Sequence, residues 1–100
     1  MTDEQIEKEI SEKGLNAPRV TLERINEVIV SEQYHVFSGV LTICCLTLRN
    51  GFTVTGESAC AHPANYNAEL GQIIARSNAV DKVWMLEGYL LKENMYSNKE

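Results

Sequence analysis

The sequence predicts an α+β domain: two N-terminal helices, a small antiparallel sheet of three or so strands, and a long C-terminal helix. Three observations predict it. Asn50-Gly51 separates two β-type segments, Leu41 to Arg49 and Phe52 to Thr55, and Asn-Gly is the dipeptide best suited to a two-residue hairpin of type I′. Pro63-Ala64-Asn65-Tyr66-Asn67 leads into a helical pattern that runs to about Lys92. Ahead of the sheet, Thr2 and Thr21 each stand where an N-cap would open a helix.

In chain order, Thr2-Asp3-Glu4-Gln5 reads as a capping box with Gln5 reaching back, and Gly14 as a C-terminal stop. A first helix from about Asp3 to Lys13 follows. Only Ile6 and Ile10 give it an apolar edge, so residues 1–20 are read as a peripheral helix and a connection, with Pro18 discouraging helix just before it. Asp3, Glu4, Glu7, Glu9 and Glu12 form a solvated acidic face. From Thr21 a second helix carries Ile25, Val28 and Ile29 on one side. Its end is open, because Val28-Ile29-Val30 could equally begin a strand, and Tyr34 to Phe37 has strand composition.

Ser38-Gly39 marks a turn or bulge before the hairpin. Counting back from Asn50-Gly51 pairs Arg49 with Phe52, Thr47 with Val54 and Cys45 with Gly56, on one face with Ile43. Leu48, Leu46, Cys44, Thr53 and Thr55 take the other. Both faces are fairly apolar, so both are expected to be covered.

In the long helix Tyr66, Leu70, Ile73, Ile74, Val80, Trp84 and Leu91 fall in one broad stripe, expected to face the core. Ser77 and Asp81 share it, so its middle lines a polar pocket or an interface, or the helix breaks near Ser77-Asn78. Unbroken from Tyr66 to Lys92 it would measure roughly 40 Å, more than the ~30 Å of a small domain. Either it breaks, with Gly88 a second place, or it overhangs and packs on another subunit. Residues 21–92 make up the core of the single domain and 93–100 a loose polar tail.

A chain of 100 residues is large enough for one core. No apolar run approaches the ~18 to 20 residues of a membrane span, and Met1-Thr2-Asp3-Glu4 is acidic where a secretory signal would be basic. A soluble, intracellular protein is expected. Cys44, Cys45 and Cys60 are odd in number and two are neighbours, which argues against a disulfide framework. With His35 and His62 they offer no zinc spacing, so no metal is expected. The net charge of −5 argues against binding duplex nucleic acid, which is mostly phosphate neutralisation. A small anionic ligand stays open, since one or two arginines in a pocket can hold a phosphate.

Arg49 beside Phe52 could hold a phosphate and stack a base; the plainer reading is a core phenylalanine and a solvated strand end. Arg76 sits at the border of the helix stripe, where a guanidinium could reach a pocket over the sheet or pair with Glu69 or Glu57. Asn65 and Asn67 begin the long helix, as N-caps or beside N–H groups free for an anion. In the link Gly56-Glu57-Ser58-Ala59, Gly56 would let a ligand approach and Glu57 or Ser58 could take a ribose hydroxyl. Otherwise it is an ordinary polar loop. Ser58 lacks a nucleophile elbow, Cys60 and His62 are too close in sequence for a nucleophile and base, and no carboxylate pair stands out. No catalytic residue is assigned.

The run Arg49 to Cys60, then Pro63-Ala64-Asn65-Tyr66, Ile74 to Trp84 and Glu87-Gly88-Tyr89-Leu90 together resemble a family of small tailed-phage and prophage proteins that includes the first Thoeris anti-defence proteins. The resemblance covers roughly Glu23 to Leu91. It implies a homo-oligomeric sponge in the cytoplasm of the bacterial host. Such a protein sequesters glycocyclic ADP-ribose, with cyclic di- or trinucleotides as further ligands, and cleaves none of them; it needs no cofactor. The expected contacts are Arg76, Phe52, Asn65, Arg49, Glu57 and Ser58. The alternative is a phage protein that modulates a host protein through its acidic first helix or an exposed strand edge. A nucleotide-cleaving enzyme comes third.

Overall fold

The computed structural model describes residues 2–15 and 17–98. Helix α1 (Asp3–Glu12) opens on the expected capping box, with Gln5 N donating to Thr2 Oγ1 and Thr2 N to Gln5 Oε1, and Gly14 follows at positive φ. It buries no residue. Arg19 Nη1 on Glu7, at 2.8 Å, ties it to the connection. Helix α2 (Leu22–Val28), capped by Thr21, buries Ile25 and Val28. The chain then passes directly into β1 (Ile29–Phe37), which settles the open boundary in favour of strand.

Strands β1, β2 (Leu41–Leu48) and β3 (Thr53–Ala59) form an antiparallel sheet in sequence order. A 3₁₀ turn (Pro63–Asn65) and the 30-residue helix α3 (Ala68–Ser97) follow. The α+β class and the element order are those the sequence predicts. Helix α3 is unbroken through Ser77, Asn78 and Gly88 and overhangs, in a chain 56 Å in its longest dimension. The tail expected to be loose from Glu93 is helical as far as Ser97, and its last two residues lie outside the described ones.

Three expectations are corrected. The first concerns the turns. Ser38 and Gly39, at φ 55° and 69°, carry the double positive φ of a type I′ turn. Asn50 does not; only Gly51, at φ 91°, is left-handed. Gly51 N donates to Leu48 O and Leu48 N to Phe52 O, each at 2.8 Å. The second hairpin therefore has the three-residue loop Arg49-Asn50-Gly51, a turn closed by a left-handed glycine.

One extra loop residue slips the register by one. Leu46 pairs with Val54, Cys44 with Gly56 and Thr42 with Ser58. Because side chains alternate, the slip moves all of β3 to the other face relative to β2. Val54 and Gly56 then join Leu46 and Cys44 under α3, where all four are buried. Burying Val54 favours this register by about 1.5 to 3 kcal/mol over one that leaves it in water. Phe52 and Arg49 lose their pairing.

The second correction concerns which side of α3 meets the sheet. Ala75, Ala79 and Val83, spaced by four residues, are fully buried, while Leu70, Ile73 and Ile74 are exposed and Val80 and Trp84 pack at the rim of the core. Gly56 gives the reason: a Cβ there would overlap the backbone of Ala75 and Ala79. The helix lies so close to β3 that only small side chains fit between them. Third, α3 covers one face only. The other carries Thr47, Cys45 and Ile43 half-buried, with Phe37, Thr53 and Glu57 exposed.

Candidate functional site

At the end of the sheet away from the Asn50-Gly51 loop, β2, β3, the 3₁₀ turn and the start of α3 enclose a pocket of about 200 Å³. Its shape is set by a chain of local caps. His62 Nδ1 accepts from Ala64 N at 3.0 Å, which starts the 3₁₀ turn at Pro63. Tyr66 N donates to Pro63 O, and Asn67 then caps α3 by accepting from Leu70 N at 2.9 Å. On the strand side Cys60 N holds Val40 O at 3.1 Å. His62 and Asn67 thus act first as structural caps.

Among the described residues the lining is uncharged and mixed in polarity. Thr42, Ser58, Asn65 and Tyr66 face it with Cys60, and Leu70 and Ile74 form an apolar wall. Thr42 is 1% exposed, and among the described residues its Oγ1 has no hydrogen-bond partner. A buried hydroxyl left unpaired costs about 1 to 3 kcal/mol. Gly71 stands over it: a Cβ at Gly71 would come within 2.8 Å of that oxygen. The bare glycine leaves the space above this buried hydroxyl free of a side chain.

The residues singled out from the sequence divide between places. Ser58 and Asn65 line the pocket. Arg49 and Phe52 lie in the hairpin loop at the opposite end of β3, roughly 20 Å away for seven extended residues, and Phe52 is exposed. The Glu57 side chain points to the open face, and only its carbonyl is engaged, by Asn78 Nδ2 at 2.8 Å. Arg76 binds neither Glu69 nor Glu57; its Nε meets Glu32 Oε2 on β1 at 2.7 Å, so α3 is clipped to the edge strand. That carboxylate raises the Arg76 pKa further.

Sequence reasoning missed Thr42 and Gly71. Two signals carried them: a threonine ending the apolar alternation Leu48, Leu46, Cys44, and a glycine in the first turn of a helix, where it costs about 1 kcal/mol against alanine.

Under α3, burial pushes the Tyr34 hydroxyl up to about 12 and the Cys44 thiol up as well. Both stay protonated at neutral pH, so Cys44 is an inert core thiol. Among the described residues no His, Cys, Asp and Glu side chains gather as a metal site would need, and no helix is long and apolar enough to cross a membrane.

The model of the phage protein (N4 Gp49/phage Sf6 gene 66) family matches residues 20–95. The match spans α2, the sheet and nearly all of α3 and leaves out α1. No curated protein and no solved structure gives a match. The chain belongs to this phage protein family.

Proposed function

We propose that this phage-family protein is a sponge that binds and sequesters a cyclic nucleotide immune signal of the host, without cleaving it. The observation that carries the reading is the pocket, whose lining offers hydroxyl and amide groups and an apolar wall. Such a lining holds a ligand by many small contacts. No nucleophile activated by a base has a place in this scheme. The resemblance of the hairpin and helix motifs to the Thoeris anti-defence proteins supports glycocyclic ADP-ribose as the ligand, with cyclic di- and trinucleotides next, encountered in the host cytoplasm.

A drug-sized ligand fills about 300 to 1,000 Å³, so the pocket of one protomer takes part of such a nucleotide. A second copy would supply the rest. Leu70 and Ile74 belong both to the pocket wall and to the exposed apolar side of α3, so a copy seated on that side would roof the pocket.

Isothermal titration with glycocyclic ADP-ribose isomers and a panel of cyclic di- and trinucleotides, followed by denaturation and chromatography of the released ligand, tests this. Tight binding with the ligand returned intact is expected. Consumption of the ligand would mean an enzyme, and no heat with any of the panel would sink the sponge.

A second reading, a surface that modulates a host protein, is favoured by the uncovered sheet face and by the acidic α1, which buries nothing. It expects a ligand-free protein that copurifies with one defined partner.

A further inference from the structure

We infer that the pocket takes the sugar of the nucleotide, and that Thr42, set beneath Gly71, reads a ring hydroxyl. The inference rests on the pocket's being the ligand site proposed above. Four observations lead to it. The Thr42 hydroxyl is buried, unpartnered and part of the pocket lining, and a hydroxyl both donates and accepts. Its complement is a group that also does both, as a ribose hydroxyl does.

Second, Ser58 is the direct cross-strand partner of Thr42 and lines the same pocket. Cβ atoms of such partners lie about 4.5 to 5.5 Å apart, so two hydroxyls stand side by side, as a vicinal diol requires. Asn65 adds a carboxamide with both donors and an acceptor. Third, among the described residues no lysine or arginine lines the pocket, and Arg76 is engaged by Glu32. A phosphate there would lack the charged partner that makes its hydrogen bonds strong, in a chain of net charge −5. Fourth, Leu70 and Ile74 offer apolar wall to the carbon edge of a sugar ring.

Gly71 is the gate of this arrangement. An alanine methyl would stand 2.8 Å from Thr42 Oγ1 and crowd the hydroxyl. Only an absent side chain leaves the threonine readable.

The test is an NMR titration of the full chain with adenosine, 2′,3′-dideoxyadenosine and inorganic phosphate, in wild type, Thr42→Val and Gly71→Ala, beside calorimetry of each variant with the cyclic nucleotide panel. Adenosine is expected to shift the pocket amides, and phosphate is not. Loss of the sugar hydroxyls, Thr42→Val and Gly71→Ala should each weaken binding about tenfold, the size of one hydrogen bond. Dideoxyadenosine should not distinguish Thr42→Val from wild type. Meanwhile Thr42→Val should raise Tm, because it removes an unpaired buried hydroxyl; a threonine with only a structural role would not couple higher Tm to weaker binding.

If the cyclic nucleotides bind and Thr42→Val leaves their affinity unchanged, the sugar assignment falls and the sponge stands. If adenosine binds through Thr42 and the whole panel does not, the sponge falls and the sugar site stands. Equal binding of adenosine and its dideoxy analogue, competition by phosphate, or no adenosine binding at all each overturns the inference.

Discussion

Gly56 on β3 lies directly against the backbone of Ala79 on α3, with no room between them for a Cβ. The obstacle is main chain, which cannot rotate aside, so Gly56→Ala must push the helix off the sheet. Helix and sheet share most of the buried core there, including Leu46, Val54 and Val83. A loss of at least about 3 kcal/mol is expected, at the upper end of overpacking costs. Gly88, further along α3, has nothing within 4 Å of its would-be Cβ among the described residues. There alanine should gain up to about 1 kcal/mol from helix propensity. Urea denaturation of the two variants checks both signs.

The second hairpin separates two turn types by the same kind of substitution. With only Gly51 at positive φ, Gly51→Ala should cost about 1 kcal/mol or more, because alanine is strained there. Asn50→Ala should cost less, losing only the bond from Phe52 N to Asn50 Oδ1 at 3.0 Å. A type I′ turn would make both costly, so matched urea midpoints for the pair decide it.

Much of the fold was legible because its signals are local. Thr2, Thr21, Gly14 and Ser38-Gly39 are caps and turns that act within a few residues, and each does what its chemistry suggests. The faces were not legible, for one physical reason at two places. At Asn50-Gly51 one loop residue decides the side on which all of β3 falls, and that choice is made by what α3 buries. In α3 the more apolar side was expected inward, yet contact with Gly56 selects the smaller one, Ala75 and Ala79. The site followed suit. Ser58 and Asn65, singled out around a helix start, line the pocket, but Thr42 and Gly71, 29 positions apart, come together only once a strand of period two and a helix of period 3.6 are packed.

Two ion pairs hold α3 to its surroundings and differ in burial. Arg24 Nε meets Glu87 Oε1 at 2.7 Å with side chains 32% and 11% exposed, whereas Arg76 and Glu32 are 41% and 43% exposed. Solvent screens the second pair more. Double-mutant cycles should give Arg76–Glu32 a coupling of about 0.2 to 1 kcal/mol that fades with salt, and Arg24–Glu87 a larger one that fades less. An Arg76–Glu32 coupling that exceeds the other would contradict this order.

Alkaline pH should unfold the protein through Tyr34 and Cys44. Both folded-state pKa values are raised, so the folded chain keeps protons that the unfolded chain releases. The stability they contribute is complete below the unfolded values of 9.0 for Cys44 and 10.0 for Tyr34, and is lost as pH rises toward the folded value of about 12 for Tyr34. The urea midpoint should therefore fall above pH 9. It should fall less steeply in Tyr34→Phe and in Cys44→Ala, each compared with its own midpoint at pH 7.

Leu70, Ile73 and Ile74 stay exposed because Gly56 draws the alanine side of α3 to the sheet. An apolar strip this continuous on one helix is the kind of surface that partners cover. It adjoins a pocket too small for a whole cyclic nucleotide. The expected outcome in sedimentation equilibrium is a species heavier than the 11.2 kDa protomer. Ile73→Lys should return it to the protomer mass, since a lysine is a good helix former but cannot be buried unpaired. The substitution removes no core contact, so the change in protomer stability should stay within about 0.5 kcal/mol. Nucleotide affinity should fall with the assembly if the second copy roofs the pocket. A wild-type protein that sediments as a single chain at every concentration would show that α3 meets no second copy, and the proposed ligand would then have to be held by one chain alone.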